Sequence, residues 1–145
     1  MRAVDTTVAD VRLIELPQVF TEGHGAIVFC EKSESLPFVP KRVFYLYDIP
    51  AGESRGAHAH KKCHQLLVAS SGSFTVELND GESSKRIELN QPNLGLHIPP
   101  GIWASELNFS GGAICLVLTS HTFDEADYVR DFDSFLKMRG IKSST

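Results

Sequence analysis

Short runs in which apolar and polar residues alternate recur along most of the chain, with turn residues between them. In residues 41–49, Val43 and Tyr45 share one face of an extended segment. Arg42 and Phe44 share the other face, so both faces carry bulky side chains and we expect the strand to be covered on both sides. Many short strands separated by turns are typical of an all-β sandwich or barrel.

The alternating pattern continues toward the C-terminus and then changes period. Further strands are predicted at residues 66–69, 74–78, 86–89, 94–98 and 113–118. Phe132, Phe135 and Leu136 instead recur at helical spacing, and Gly140 follows them. We therefore predict a single all-β domain of residues 1–145 that ends in a short C-terminal helix, with residues 141–145 as a frayed tail.

Composition and charge exclude several classes of protein. With 145 residues, 42% of them hydrophobic, the chain can fill one core. Its formal net charge is −4 and its basic residues are scattered, which argues against a nucleic-acid partner. Three cysteines make an odd number, which suits a reducing compartment, and no run approaches the ~18 apolar residues of a membrane span. We expect a cytoplasmic protein with no membrane partner.

The most informative stretch surrounds two histidines. His58 and His60 project from the same face of an extended strand, so both imidazoles point into one cavity. Five residues separate Gly52 from His58, four separate His60 from Gln65, and six separate Gln65 from Gly72. This spacing resembles the first motif of the cupins, which implies a β-barrel of the jelly-roll type.

The resemblance to metal-binding cupins is incomplete. Residues 99–101 are similar to the second cupin motif, but Ala104 stands where its histidine is expected and Gln65 occupies the position of the metal glutamate. Two neutral histidines and an amide lack the ligands that usually hold a divalent ion, so we expect no metal and no cofactor. Imidazole titrates near neutral pH, so such a pair suits proton transfer. A metal cluster of His64 with the two histidines is the alternative.

A wider pattern narrows the family. Four segments carry it, namely residues 41–45, 55–61, 100–103 and 127–132. Together they are similar to the dTDP-4-keto-6-deoxyglucose 3,4-ketoisomerase family, metal-independent cupins of bacterial deoxysugar biosynthesis for surface polysaccharides. The resemblance implies an isomerase that acts on a dTDP-linked 4-keto-6-deoxyhexose through an enediol. It also implies a homodimer, in some members with exchanged N-terminal strands, and a product of either galacto or gluco configuration.

The chemistry of this reaction suggests roles for the two histidines, because one base at the ring carbons and one group near the hydroxyl oxygens suffice. We assign His60 as the base at C3 and C4 of the sugar and His58 as the shuttle for the hydroxyl protons. The two roles are interchangeable at this level, because the sequence does not say which ring reaches the sugar. Asp127, Tyr128 and Arg130 match the family's C-terminal pattern, and an ion pair that ties the tail to the barrel explains them equally well.

Substrate-binding residues complete the prediction. Arg42 and Arg55 suit the diphosphate, because planar guanidinium groups match phosphate oxygens in pairs. Tyr45, Trp103 and Gln65 are further candidates. Tyr45 lies on the opposite strand face from Arg42, so only a bulge would let both enter the barrel, and Trp103 fits core packing as well as stacking on the ligand.

Three other functions fit parts of the same pattern. A metal-dependent cupin oxygenase would use His58, His60 and His64, and would lose activity on chelation. A non-catalytic sugar-nucleotide-binding cupin would bind dTDP without turnover. A 3,5-epimerase of the same substrate class is a nearer neighbour, although residues 55–60 fit the ketoisomerase pattern better.

Overall fold

The computed structural model describes residues 2–141, and these form a jelly-roll barrel of antiparallel strands. In chain order the strands are β1 Arg2–Asp5, β2 Arg12–Glu15, β3 Gln18–Thr21, β4 Gly25–Val28, β5 Arg42–Leu46, β6 Arg55–His60, β7 Gln65–Ser71, β8 Phe74–Asn79, β9 Ser84–Leu89, β10 Leu94–Ile98, β11 Trp103–Leu107, β12 Ile114–Thr119 and β13 Tyr128–Val129. A 3₁₀ turn at Glu125–Asp127 precedes β13, and helix α1 spans Phe132–Met138. The predicted all-β cupin fold with a short C-terminal helix is confirmed.

Two sheets form the walls of the barrel. The larger has the strand order β1-β2-β10-β7-β12-β5, and the smaller has the order β13-β6-β11-β8-β9. A separate hairpin pairs β3 with β4. The apolar segment at 113–118 corresponds to β12, which lies between β7 and β5 as expected for a fully apolar strand.

The core fills the space between the two sheets. Alternate residues of β8 show the pattern clearly, because Phe74, Val76 and Leu78 are buried while the residues between them are only partly so. Inward residues of β7, β10 and β12 meet them from the larger sheet. The period-2 alternation of the sequence therefore becomes one buried and one outer face on each strand.

Helix α1 covers the outer face of the smaller sheet. Its N-cap residue Asp131 accepts a hydrogen bond from Ser134 N at 3.0 Å, which satisfies a free amide of the first turn. Phe135 is fully buried against Ala59 and Val129. The helix thereby packs the C-terminal segment against β6, the strand that carries the histidines.

Three expectations concern the chain ends and the membrane. The frayed tail predicted at 141–145 falls, apart from Ile141, outside the described residues. The N-terminal strand β1 pairs with β2 of the same chain. No helix within residues 2–141 is long and apolar enough to cross a membrane.

Candidate active site

A cavity of about 260 Å³ opens between the two sheets at one end of the barrel. β5, β6 and β11 supply its walls, and the C-terminal segment closes one side. Its polar lining residues are Arg42, Arg55, His58, Gln65, Glu106, Tyr128 and Arg130. The structure therefore brings together four of the residues that the sequence predicted for catalysis or substrate binding, and three that it did not.

A bulge in β6 turns both Arg55 and His58 toward this cavity. In a regular strand, residues three apart face opposite sides. Here His58 pairs with Ala104 and Gly56 with Ser105, so Ala57 is an extra residue in β6. Gly56 and Ala57 both have positive φ, at 94° and 74°. The local glycine makes this bend possible, and the bend places a cation beside an imidazole.

His58 is the histidine that lines the cavity. Its ring centroid lies 5.0 Å from that of His60 and 4.9 Å from that of Tyr128. Burial, together with the neighbouring His60 and Arg130, lowers the pKa of His58 to about 4, although Glu125 acts in the opposite direction. The imidazole is therefore neutral at physiological pH and free to accept a proton.

His60 lies behind His58 and is held by a carboxylate. Its Nδ1 lies 3.0 Å from Oδ2 of Asp127. The backbone amide of Lys62 donates to Oδ1 of the same carboxylate at 2.7 Å, and that of Cys63 donates to Oδ2 at 3.2 Å. Burial lowers the pKa of His60, and Asp127 opposes this in part. Because Asp127 also accepts these two backbone amides, it is an acceptor and His60 donates from Nδ1. Among residues 2–141, the buried Nε2 of His60 has no hydrogen-bond partner.

Tyr128 connects the histidines to the mouth of the cavity. Its ring centroid lies 4.4 Å from that of His60, and the guanidinium of Arg130 stacks 4.4 Å above the tyrosine ring. Two hydrogen bonds of 2.7 and 2.9 Å join Arg130 to Glu125. The family pattern at 127–132 already contained Tyr128 and Arg130, but only the fold shows that β13 lies beside β6.

The cavity is rich in positive charge. Arg42 stacks on the rings of Phe44 and Phe123, at 4.6 and 5.3 Å. Arg55 lies on the adjacent wall and Arg130 at the mouth. Three guanidinium groups around a small opening suit an anionic ligand such as a diphosphate.

Two predicted substrate-binding residues lie elsewhere. Tyr45 is 60% exposed on the outer face of β5, beside Tyr47, because it alternates with Arg42 in a strand that has no bulge there. Trp103 packs against Phe132 and Phe135 of helix α1, with ring centroids 5.3 and 5.7 Å away. Neither side chain lines the cavity beside His58 in the described chain, and Trp103 has the packing contacts stated as its alternative.

The remaining side chains near the histidines that could bind a ligand or a metal ion occupy different positions. Gln65 is buried and lines the cavity wall. His64 does not join His58 and His60, because its Nδ1 lies 3.0 Å from Nε2 of His97. His60, Cys63 and Asp127 are close enough together to hold an ion. His60 and Asp127 of this group are also hydrogen-bonded to each other.

Comparison with known proteins agrees with this geometry. The family described as "FdtA: WxcM-like, C-terminal" matches residues 9–140. A TDP-4-oxo-6-deoxy-alpha-D-glucose-3,4-oxoisomerase of Aneurinibacillus thermoaerophilus is 40% identical over 116 residues, which are 80% of this chain and 84% of that protein.

Solved structures extend the likeness to three dimensions. The TDP-quinovose 3,4-ketoisomerase WlaRB of Campylobacter jejuni has a TM-score of 0.85 and 38% identity, over 90% of this chain and 99% of that one. A mutant of the 3,4-ketoisomerase QdtA of Thermoanaerobacterium thermosaccharolyticum, in complex with TDP-4-keto-6-deoxyglucose, has a TM-score of 0.86 and 34% identity over 91% and 95% of the two chains. With its family match over most of its length and these relatives, the chain belongs to the FdtA family of sugar 3,4-ketoisomerases.

Proposed function

We propose that the protein converts dTDP-4-keto-6-deoxyglucose to a dTDP-3-keto-6-deoxyhexose, with His58 as the base that moves the ring proton. The observation that carries this proposal is a neutral imidazole at the wall of a cavity with three arginines. Its relatives named as 3,4-ketoisomerases support the same reaction.

The assignment of His58 reverses the roles that the sequence suggested for the two histidines. His58 lines the cavity, whereas His60 is buried behind it with Nδ1 bound to Asp127. A base must come within hydrogen-bond reach of the carbon-bound proton. We therefore assign removal of the C3 proton and its delivery at C4 to His58, and the support of His58 from behind to His60.

The arginines account for the nucleotide part of the substrate. A diphosphate carries negative charge that a cavity must match, and guanidinium groups bind phosphate oxygens in pairs. Arg42 and Arg55 are the candidates for this contact, with Arg130 held at the mouth by Glu125. Gln65 on the cavity wall is the candidate for a hydrogen bond to the sugar.

Incubation of chelator-treated protein with dTDP-4-keto-6-deoxyglucose in D₂O tests the proposal. Proton NMR should show a 3-keto product, with deuterium at C4 to the extent that the proton held by His58 exchanges with solvent, and the coupling constants of the product formed in H₂O assign the galacto or gluco configuration. His58→Asn should lower the rate by roughly 10²- to 10⁴-fold. Glu88→Gln, at an exposed position on β9 outside the cavity and the β3–β4 hairpin, is the control. Absence of product from the wild-type protein, or full activity of His58→Asn, would contradict the proposal.

A homodimer is part of the same proposal. The β3–β4 hairpin exposes Phe20 by 72% and Ile27 by 66%, and the edge strand β5 exposes Tyr45 by 60%. Apolar groups exposed together on a hairpin and a sheet edge favour association with a second copy. Light scattering after gel filtration should give twice the mass of the chain, and a monomer at micromolar concentration would contradict it. The exchange of N-terminal strands and the cytoplasmic location stay predictions.

A further inference from the structure

Glu106 is a carboxyl group in the cavity that none of the roles above uses. It lies on β11 opposite Arg55 of β6, and both side chains line the cavity. Ala104, two residues earlier in the strand, lies opposite His58. Because Ala104 has only a methyl group, the space between His58 and Glu106 is free of a large side chain from β11.

The backbone of the β6 bulge holds this carboxyl at a defined place. A Cβ atom at position 56 would collide with Oε2 of Glu106, so the carboxyl rests directly on Gly56. Within residues 2–141 Glu106 forms no ion pair with the arginines of the cavity. Its carboxyl group therefore lies in the cavity lining near Arg55 without being neutralised by a paired guanidinium.

The surroundings of Glu106 favour its neutral form. The titratable or charged groups around it are Arg42, Arg55, His58, Tyr128 and Arg130 in the cavity, and Cys115 of β12 behind it. Burial raises the pKa of Glu106 to about 7, although its own backbone amide and Arg55 act in the opposite direction. A large part of the carboxyl is thus protonated at neutral pH, as a proton donor needs to be.

We propose that Glu106 is a catalytic acid and base of the isomerisation, which carries the hydroxyl proton between O3 and O4 of the bound keto sugar. This inference rests on the proposed 3,4-ketoisomerase function. It assigns to a carboxyl group the shuttle role that the sequence suggested for a histidine.

The proton balance of the reaction suits a single carboxyl group. As His58 removes the C3 proton, a C3–C4 double bond forms and the C4 carbonyl oxygen takes the proton of Glu106, which gives an enediol and a carboxylate. His58 then returns its proton to C4 as the carboxylate of Glu106 takes the proton from O3, and a C3 carbonyl forms. Both residues end in their starting states. Because O3 and O4 are on adjacent carbons, the two oxygens of one carboxyl can serve both.

His60 is less suited to this shuttle than Glu106. Its Nδ1 is bound to Asp127, and its Nε2 is buried behind His58. A group that exchanges protons with two sugar oxygens needs direct access to the ligand. Glu106 lines the cavity directly, next to its cross-strand partner Arg55.

Glu106→Gln tests the proposal, because the amide keeps the shape of the side chain but cannot donate and recover a proton in turn. We expect kcat to fall by roughly 10²-fold, with KM changed little. In D₂O, the ratio of deuterium incorporated at C3 of the recovered substrate to product formed should be higher for the variant than for the wild type. The wild-type kcat/KM should fall above about pH 7, and this limb should be absent in the variant. Glu88→Gln, at an exposed position on β9, is the control.

The outcomes separate this inference from the proposed function. If the wild-type protein gives no 3-keto product, the proposed function fails. If the wild type is active and Glu106→Gln keeps its kcat within about threefold with an unchanged pH profile, only the role of Glu106 is overturned. Circular dichroism checks the fold of the variant, and Glu106→Leu, which also fills the space, repeats the test should the amide destabilise the barrel.

Discussion

Oδ2 of Asp127 lies 3.0 Å from Nδ1 of His60, and the same carboxylate accepts the backbone amides of Lys62 and Cys63. The pair joins the C-terminal segment to the histidine strand and fixes which nitrogen of His60 carries the proton. Asp127 acts through His60, so in the proposed mechanism it is a positioning residue.

Asp127→Asn should lower kcat by about 10- to 100-fold and leave KM nearly unchanged, by analogy with the carboxylates that orient metal-bound histidines. An asparagine amide can donate to Nδ1, and this would move the proton of His60 to Nε2, on the side of His58. Steady-state kinetics with the dTDP-linked substrate measures the effect. Asp10→Asn at an exposed turn with positive φ is the control, and equal losses in both variants would contradict the role.

A second histidine pair predicts how stability depends on pH. His97 is buried, and its Nε2 lies 3.0 Å from Nδ1 of His64. Burial lowers the pKa of His97 to about 4, with smaller contributions from His64 and Arg12. The unfolded chain therefore binds more protons than the folded one between pH 6.5 and 4, so stability is full above pH 6.5 and falls as the pH is lowered through this window.

The unfolding midpoint in urea, measured from pH 7 down to pH 4, should decrease by an amount that corresponds to a few kcal/mol in total. His97→Asn removes one titrating group and should flatten this dependence, although it lowers stability at pH 7. A variant whose stability has the same slope as the wild type would show that His97 is not responsible.

Much of this site follows from periodicity, and the parts that do not follow have physical reasons. Arg42 and Phe44 alternate with Tyr45, so a regular strand suffices to place Arg42 in the cavity and Tyr45 outside. Arg55 and His58 are three residues apart, and only the bulge at Gly56 and Ala57 turns both inward. A bulge depends on pairing with a distant strand, which no local pattern reports.

The sequence left several residues of the site without a role, and most of them are placed by pairing with distant strands too. Asp127 and Tyr128 come next to His60 because β13 pairs with β6 across 67 residues of sequence. The second cupin motif concerns position 104, where Ala104 replaces the expected histidine, and it indicates no role for Glu106 two residues later. Glu106 and Ala104 are two residues apart on β11 and therefore face the same side, so the alternation of the strand predicts that Glu106 points inward.

Gly56→Ala should damage both the bulge and the placement of Glu106. Position 56 has a φ of 94°, and an added Cβ would collide with Oε2 of Glu106. We expect a loss of stability of about 1–3 kcal/mol together with a kcat reduced at least tenfold. Thermal unfolding and kinetics measure the two effects. Gly111→Ala is the control, because nothing lies near its added Cβ and its φ is not positive, and a Gly56 variant that behaves like it would contradict the prediction.

The sequence predicted a substrate-binding role for both Trp103 and Arg55. In the structure their surroundings differ, so their variants should have different effects on stability and on KM. Trp103→Ala removes contacts with Phe132 and Phe135 under helix α1, so it should lower stability by about 2–4 kcal/mol and leave KM within about twofold. Arg55→Lys keeps the charge but loses the paired geometry of the guanidinium, so it should raise KM by about tenfold with little change in stability. Urea unfolding and KM are measured for both variants. Helix α1 and the cavity lie on opposite faces of β11, so the loss of packing under the helix should not reach the ligand. A rise in KM for Trp103→Ala equal to that for Arg55→Lys would therefore show that the tryptophan contacts the ligand.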